Sequence, residues 1–204
     1  MLNVKYIPVF KKEEIAMKIP LITKENPIPA GYNPVLEEVE NGYYMEKRAA
    51  HCLRMLLAAA KKDGIAINVF SAYRTLDYQQ NLFNNDVKRQ MNEGLSYEEA
   101  YKNTADSIAI PGTSEHNAGL AADLSGDGWE GENWQNFEKT EAFRWLEKNA
   151  PHFGFIIRHP KGKSHITNYI YEPWHYRYVG CPHAEIMTRK GLTLEEYLEL
   201  CNCK

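Results

Sequence analysis

Long hydrophobic runs are missing from this sequence, and so is any concentration of positive charge. No apolar stretch approaches the roughly 18 residues that a membrane-spanning helix needs, so we expect no transmembrane segment. The net charge is −3, and the lysines and arginines are scattered along the chain, which argues against binding to nucleic acid. With 204 residues, 44% of them hydrophobic and 25% charged, the chain has the composition of one globular domain.

Signals for export and for a cysteine-based metal knuckle are missing as well. The first 18 residues do not contain a basic stretch followed by an apolar one, as a secretory leader would. Two interpretations therefore stay open: a cytosolic protein, or a part of an envelope protein separated from its anchor. The four cysteines, Cys52, Cys181, Cys201 and Cys203, lack the paired spacing of a structural zinc site. Cys201 and Cys203 are predicted to lie in a frayed C-terminal tail.

Capping signals and hydrophobic periodicity divide the chain into helices and strands. Helices are predicted at 45–62, 75–90, 96–106, 140–149 and from 193 onward. Short β-branched or aromatic stretches predict strands at 65–71, 119–125, 153–159 and 168–179, the last interrupted by Pro173. The first 35 residues contain five prolines and are predicted to form an irregular arm over the domain. We therefore expect an α+β fold in a single domain, with a small, mostly antiparallel sheet flanked by helices.

Two of the seven histidines have carboxylates at short spacing. His116 lies in a turn before a predicted strand, and Asp123 lies seven residues later among small and apolar neighbours. An aspartate in such surroundings is costly to bury unless it is paired or binds a metal. Further along, Glu172 and His175 flank Pro173, which forces a bend that can turn both side chains toward one cleft.

Together these segments supply the side chains of a catalytic zinc site. Such a site needs three nitrogen or oxygen ligands and an open coordination position, and His116, Asp123 and His175 provide the ligands. Glu172 is the candidate for the base that takes a proton from the attacking water. Spacing alone leaves a second interpretation open, in which Asp123 pairs with a neighbouring basic group and the histidines are incidental.

Further polar residues are candidates for substrate contacts. Arg74 follows a predicted strand directly, where its guanidinium can grip a carboxylate or stabilise an oxyanion. It can equally bond to loop carbonyls. Ser114 can donate to the same carboxylate or close its turn, and Gln79 faces either the cleft or solvent.

The motifs around these residues resemble those of the VanY-type D,D-carboxypeptidases, zinc peptidases related to D-Ala-D-Ala dipeptidases and to LdcB-type L,D-carboxypeptidases. The resemblance covers residues 22–200 and implies a fold like that of hedgehog and D-Ala-D-Ala peptidase domains, with an arm at 1–21 and the peptidase domain at 22–204. The matching segments follow the family order: ITKENPIPAGYNP, SAYRTLDYQQNLF, PGTSEHNAGLAADL, FGFIIRHPKGKSHITNYIYEPWHYRYVG and GLTLEEYLE.

The resemblance also implies a role for each candidate residue. One Zn²⁺ is bound by His116, Asp123 and His175, Glu172 is the base, and Arg74 polarises the scissile carbonyl or holds the substrate. The implied substrate contacts are Ser114, Gln79, Tyr73 and Trp174.

The implied partner is a stem peptide of peptidoglycan or its precursor, and we expect a monomer in the cell envelope. Alternatives are L,D-carboxypeptidase action on tetrapeptide stems and a bifunctional dipeptidase, which the VGCPH segment at 179–183 favours. A non-catalytic peptidoglycan-binding module and a hedgehog-like signalling ligand are more distant alternatives.

Overall fold

A four-stranded antiparallel sheet organises the computed structural model, which describes residues 19–127, 129 and 134–201. The strand order is β3–β4–β6–β5, so β4 and β6 lie in the middle. A separate hairpin, β1–β2, precedes the first long helix. The strands are β1 (Leu36–Glu40), β2 (Tyr43–Glu46), β3 (Ile67–Ser71), β4 (Ala121–Gly126), β5 (Phe155–His159) and β6 (Glu172–Tyr178). The predicted α+β class with a small antiparallel sheet is confirmed.

Helices surround this sheet, and most of them begin at the predicted capping residue. Thr75 and Thr140 each accept a hydrogen bond from the first turn of their helix, and Ser96 forms a complete capping box with Glu99. The helices are α1 (Lys47–Lys62), α2 (Leu76–Asn92), α3 (Tyr97–Ala105), α4 (Glu141–Asn149), α5 (Ser164–Thr167), α6 (Cys181–Lys190) and α7 (Leu194–Cys201). Short 3₁₀ segments cover Trp134–Lys139 and Ala150–Phe153.

The two faces of the sheet have different partners, because successive side chains of a strand point to opposite sides. One face carries Ala122, Leu124 and Tyr176, which belong to the main core together with Leu53 and Leu56 of α1. The opposite face carries Asp123 and His175, which are directly paired across β4 and β6, and their neighbour Arg177. This polar face is therefore where the candidate site forms.

The arm and the C-terminal helices cover the rest of the polar face. Ile19 packs with Ile156 of β5 and with Leu194 and Leu198 of α7. Residues 19–35 contain neither helix nor strand, as predicted, and Ile28 donates a backbone hydrogen bond to Gly112. Residues 1–18, the greater part of the predicted arm, lie outside the described residues.

Several element boundaries differ from the sequence prediction. Met45 does not begin a helix but lies fully buried in β2, and α1 begins at Lys47 with Glu46 as its cap. The β1–β2 hairpin and α6 were not predicted. The third predicted strand begins at Phe155, after Gly154 adopts a left-handed conformation with φ 83°. Cys201 belongs to the last helix, and Cys203 lies outside the described residues.

The absence of a membrane span was also expected. Within residues 19–127, 129 and 134–201, the structure contains no helix with the length and apolar character that crossing a bilayer requires.

Candidate active site

A cleft of about 230 Å³ opens over the middle of the polar sheet face. Its walls come from the end of β3, the turn before β4, the segment before β6 and the 3₁₀ segment at Trp134. Of the nine predicted site residues, seven line it: Arg74, Ser114, His116, Asp123, Glu172, Trp174 and His175.

The three predicted metal ligands converge at the floor of this cleft. Asp123 and His175 are opposite each other in the β4–β6 pairing, so their side chains project from the same face. His116 reaches them from the turn: its Nε2 lies 3.3 Å from Asp123 Oδ2, while His175 Nδ1 lies 3.2 Å from Asp123 Oδ1. The potential ligand atoms of all three residues lie within 4.8 Å of one another.

The turn that carries His116 is held by hydrogen bonds at both ends. Ser114 Oγ accepts a hydrogen bond from the backbone N–H of His116, at 3.2 Å. Gly119 adopts φ 69°, and its carbonyl accepts from Glu46 N–H at 2.8 Å. A Cβ atom on Gly119 would lie 2.8 Å from that same Glu46 nitrogen, so glycine is required both by the conformation and by the space. The turn thereby places His116 beside the strand it precedes.

The hydrogen bonds and charges around His116, Asp123 and His175 suit the binding of a divalent cation. The Nδ1 atom of His116 lies 2.6 Å from the Ala72 carbonyl, which makes Nδ1 the protonated nitrogen and leaves Nε2 directed at the site. Asp123 Oδ1 is buried without a hydrogen-bond partner among the described residues. Burial alone would lower the pKa of His175, but the carboxylates of Asp123 and Glu115 raise it to about 9. The site therefore favours positive charge, and two imidazoles with one carboxylate are a donor set that fits zinc.

Glu172 joins this group through an irregularity in β6. Residues three apart in a regular strand point to opposite faces, yet Glu172 Oε2 lies 3.7 Å from His175 Nδ1. The pairing of β5 with β6 shifts register between Ile157 and His159, opposite the Pro173 segment. Pro173 thus disturbs the ladder as predicted, although β6 continues through it as one strand. Burial, together with the negative charge of Asp123, raises the pKa of Glu172 to about 7, which suits a general base.

Arg74 enters the cleft from the end of β3. Its Nη2 donates to Asp123 Oδ2 at 2.7 Å and its Nε donates to Ser71 Oγ at 2.9 Å. The Gln79 amide oxygen lies 3.4 Å from Arg74 Nη1, while the Gln79 amide nitrogen donates to the Ala109 carbonyl at 2.8 Å. Gln79 is fully buried with both ends of its amide engaged. In this arrangement it supports the Arg74 side chain.

Aromatic rings form one wall of the cleft, as the sequence suggested for Trp174. The ring of Trp174 lies 5.5 Å from that of Trp134, which in turn lies 4.7 Å from Phe70. All three line the cleft. Tyr73 does not: among the described residues it is absent from the lining, and it is placed by its backbone N–H, which donates to the Tyr44 carbonyl at 2.8 Å.

Four buried residues of the cleft region were missed at the level of sequence. Glu115 contacts the two arginines Arg158 and Arg177, which are 2% and 0% exposed. His159 pairs with Glu172 across β5 and β6, and its Nε2 lies 3.9 Å from Glu172 Oε2. Burial holds the pKa of His159 well below its usual range. The alternation of β5 and β6 places Arg158 and Arg177 on the same face of the sheet, where both reach Glu115, but no feature of the sequence marks either side chain as buried.

An antiparallel α+β domain whose cleft combines two histidines, an aspartate and a buried glutamate is typical of a metal-dependent hydrolase. The comparison of sequences makes the assignment narrower. The VanY family, described as D-alanyl-D-alanine carboxypeptidase, matches residues 42–181. The chain belongs to this family.

Individual relatives agree with this assignment. A D-alanyl-D-alanine carboxypeptidase of Enterococcus faecalis is 40% identical over 178 residues, which are 87% of this chain and 64% of the relative. The chain thus spans slightly less than two thirds of that relative's length.

Solved structures show the same fold. A variant of the vancomycin-resistance D,D-pentapeptidase VanY in complex with Zn(II) has a TM-score of 0.79 at 40% identity, covering 89% of this chain and 98% of that one. The LdcB LD-carboxypeptidase has a TM-score of 0.76 at 38% identity, covering 88% and 84%. The family therefore includes relatives named for cleavage of different bonds.

Proposed function

We propose that this chain is a zinc-dependent D,D-carboxypeptidase that removes the terminal D-alanine from peptidoglycan stem peptides or their precursors. The observation that carries the proposal is the convergence of His116, Asp123 and His175 beside the buried Glu172 in an open cleft. Membership of the VanY family supports it, and so does the similar structure in complex with Zn(II). We assign the peptidase domain to residues 22–204.

His116, Asp123 and His175 would hold the zinc ion. When bound, zinc would supply the Lewis acidity that activates water and polarises the carbonyl of the penultimate residue. The chain contributes the fixed orientation of its ligands: Ala72 sets the tautomer of His116, and the pairing of β4 with β6 sets the positions of the other two.

Glu172 would move the proton. Its carboxylate would take a proton from the attacking water and return it to the leaving amine of D-alanine. A pKa of about 7 suits both steps, because such a group accepts and releases a proton near neutral pH. The 3.7 Å between Glu172 Oε2 and His175 Nδ1 places the base next to the metal site without making it a ligand of the predicted set.

Arg74 would stabilise the negative charge that develops on the carbonyl oxygen, or hold the substrate. Its Nη1 faces the Gln79 amide at 3.4 Å, which is a weak contact that a substrate oxygen can replace. Ser114 and Trp174 line the same cleft and would contact the terminal residue. Gln79 and Tyr73 would act indirectly, Gln79 by supporting Arg74 and Tyr73 through the backbone at the end of β3.

We further propose that the protein acts as a monomer in the cell envelope. The cleft is complete within one chain, since all residues assigned to binding and proton transfer come from it. A stem peptide as partner agrees with the envelope, where peptidoglycan is exposed to such an enzyme. Size-exclusion chromatography with light scattering tests the oligomeric state, and cell fractionation of the native host tests the compartment.

The test measures D-alanine release from pentapeptide and tetrapeptide stems in parallel, with and without a chelator. We expect release from the pentapeptide, loss of release with the chelator and recovery with zinc. Release from the tetrapeptide alone would favour L,D specificity, for which the similarity to LdcB is the supporting observation. Cleavage of free D-Ala-D-Ala would indicate a bifunctional dipeptidase. Zinc binding without any release would favour a non-catalytic binding module.

A further inference from the structure

Glu115 is a buried carboxylate whose two oxygen atoms have different partners. Its Oε1 accepts hydrogen bonds from Arg158 Nε, at 2.8 Å, and from Arg177 Nη1. Its Oε2 has no hydrogen-bond partner among the described residues and lies 3.5 Å from His175 Nε2. The two guanidinium groups therefore fix the carboxylate from one side and leave the other oxygen directed at a predicted zinc ligand.

The imidazole of His175 is oriented so that this contact complements metal binding. Its Nδ1 faces the site, 3.2 Å from Asp123 Oδ1, and its Nε2 faces away from it toward Glu115. A histidine that binds a metal through one nitrogen donates the N–H of the other to an outer acceptor, which fixes the tautomer and the ring orientation. The Ala72 carbonyl provides this acceptor for His116, and Glu115 is in the corresponding position for His175.

We infer that Glu115 is a positioning residue that orients the His175 imidazole for zinc binding by accepting a hydrogen bond from its Nε2–H group. The inference rests on the proposed function, because it presupposes that His175 is a zinc ligand. Glu115 lies outside the predicted ligand set. Its effect is on the affinity of the site for zinc. A carboxylate that accepts the Nε2–H hydrogen bond makes Nδ1 a stronger electron-pair donor to the metal than a neutral carbonyl acceptor would.

The two arginines stabilise the buried negative charge of Glu115. An unpaired carboxylate at 6% exposure would carry a large desolvation penalty, and the positive charges of Arg158 and Arg177 offset it. Each arginine is itself anchored elsewhere: Arg158 donates to both carboxylate oxygens of Glu195 in α7, and Arg177 donates to the Pro20 carbonyl at 2.7 Å. The two arginines thus have partners in α7 and in the arm as well as Glu115.

Glu195 provides a matched control, because it contacts the same Arg158 and lies outside the contacts of His175. The experiment compares wild-type protein, Glu115→Gln and Glu195→Gln. Zinc affinity is measured by competition with a chromogenic chelator, and Co²⁺ absorption spectra report the ligand geometry. We expect about 10- to 100-fold weaker zinc binding and an altered Co²⁺ spectrum for Glu115→Gln, with wild-type values for Glu195→Gln.

The outcomes separate this inference from the proposed function. Equal zinc affinity in wild-type and Glu115→Gln proteins would overturn the inference and leave the metal site intact. Equal losses in the two variants would also overturn it, because they would show a general effect of the arginine network. A wild-type protein that binds no zinc would overturn the metal site and this inference together.

A measurement on the wild-type protein covers the case in which Glu115→Gln does not fold. The ring nitrogens of His175 are assigned by ¹⁵N NMR in the zinc-loaded protein. We expect Nδ1 to show the shift of a metal-bound nitrogen, and Nε2 to carry a proton that exchanges slowly with water. Zinc coordination through Nε2, or a rapidly exchanging Nε2 proton, would refute the positioning role of Glu115.

Discussion

Replacing Glu172 by glutamine is expected to stop turnover while leaving zinc in place. The substitution keeps the size of a side chain that is 6% exposed, and it removes the negative charge together with the ability to accept a proton. Glu172 Oε2 lies 3.7 Å from His175 Nδ1 and is outside the predicted ligand set. The metal site should therefore survive, and the loss should appear in the chemical step.

The expected magnitude follows from the role of a general base. Such a group contributes about 10²- to 10⁴-fold to a rate, which corresponds to about 3–5 kcal/mol of transition-state stabilisation. We expect kcat for D-alanine release to fall by this factor with little change in KM, because the Arg74 and Ser114 contacts remain. Zinc content is measured on the same samples by atomic emission.

A surface glutamate provides the control for this prediction. Glu93→Gln removes a carboxylate that is paired with Arg89 on the exposed end of α2, with 55% of its side chain accessible, and it should have wild-type kinetics. Loss of zinc from Glu172→Gln would show that Glu172 is a ligand. An unchanged kcat with zinc bound would show that another group moves the proton, and either result would refute the assignment.

Three further predictions concern stability. Gly119→Ala should lower the free energy of unfolding by about 2–4 kcal/mol, because alanine at φ 69° is strained and its Cβ would meet Glu46 N at 2.8 Å. Urea unfolding measures this free energy, and a change below about 0.5 kcal/mol would contradict the prediction. Ser96→Ala should cost about 1 kcal/mol by breaking the capping box of α3, whereas Ser107→Ala, outside any helix cap, serves as its control in the same assay. Zinc at about 100 times its Kd should stabilise the fold by about 2.7 kcal/mol, raising the Tm by about 5–10 °C in thermal scans with and without chelator; an unchanged Tm would indicate that zinc does not bind the folded state.

Local signals explain why most helices could be predicted from the sequence. A cap depends on residues three positions apart, so Thr75, Ser96 and Thr140 identify the starts of their helices without any knowledge of the fold. Helix α6 gives no such signal. The residue at its N-cap is Gly180, which gives no side-chain hydrogen bond to the first turn. Pro182 in that turn resembles a loop residue in sequence.

The β1–β2 hairpin was missed for a related reason. Three of the five residues of β1 are glutamate, which is depleted in strands on average. Met45 lies on the same apolar periodicity as the helix that follows, so the helical pattern extends two residues too far at its start. The chain makes a strand there because Met45 is buried against the core, which is a tertiary contact.

The residues proposed as metal ligands and as base could be selected from the sequence because chemistry limits which residue types can serve, and the structure brings them into one cleft. Their spacing alone left open a structural pairing of Asp123 with a basic group, and it was the resemblance to a family that implied a role for each residue. The Glu115 network was not predictable in the same way, since Glu115 is 43 positions from Arg158 and 62 from Arg177. An arginine in a strand has no sequence feature that separates a fully buried side chain from an exposed one.

The location of Asp123 and His175 on the two central, mutually paired strands has a consequence for divergence. A slip of one residue between β4 and β6 would turn either side chain to the wrong face, so the geometry of the proposed metal site depends on the register of the sheet. Part of the cleft wall comes instead from the turn before β4 and from the 3₁₀ segment at Trp134. Insertions and substitutions there can reshape the cleft without moving the proposed metal site, so under the proposed function the choice of peptide can change while the chemistry is kept.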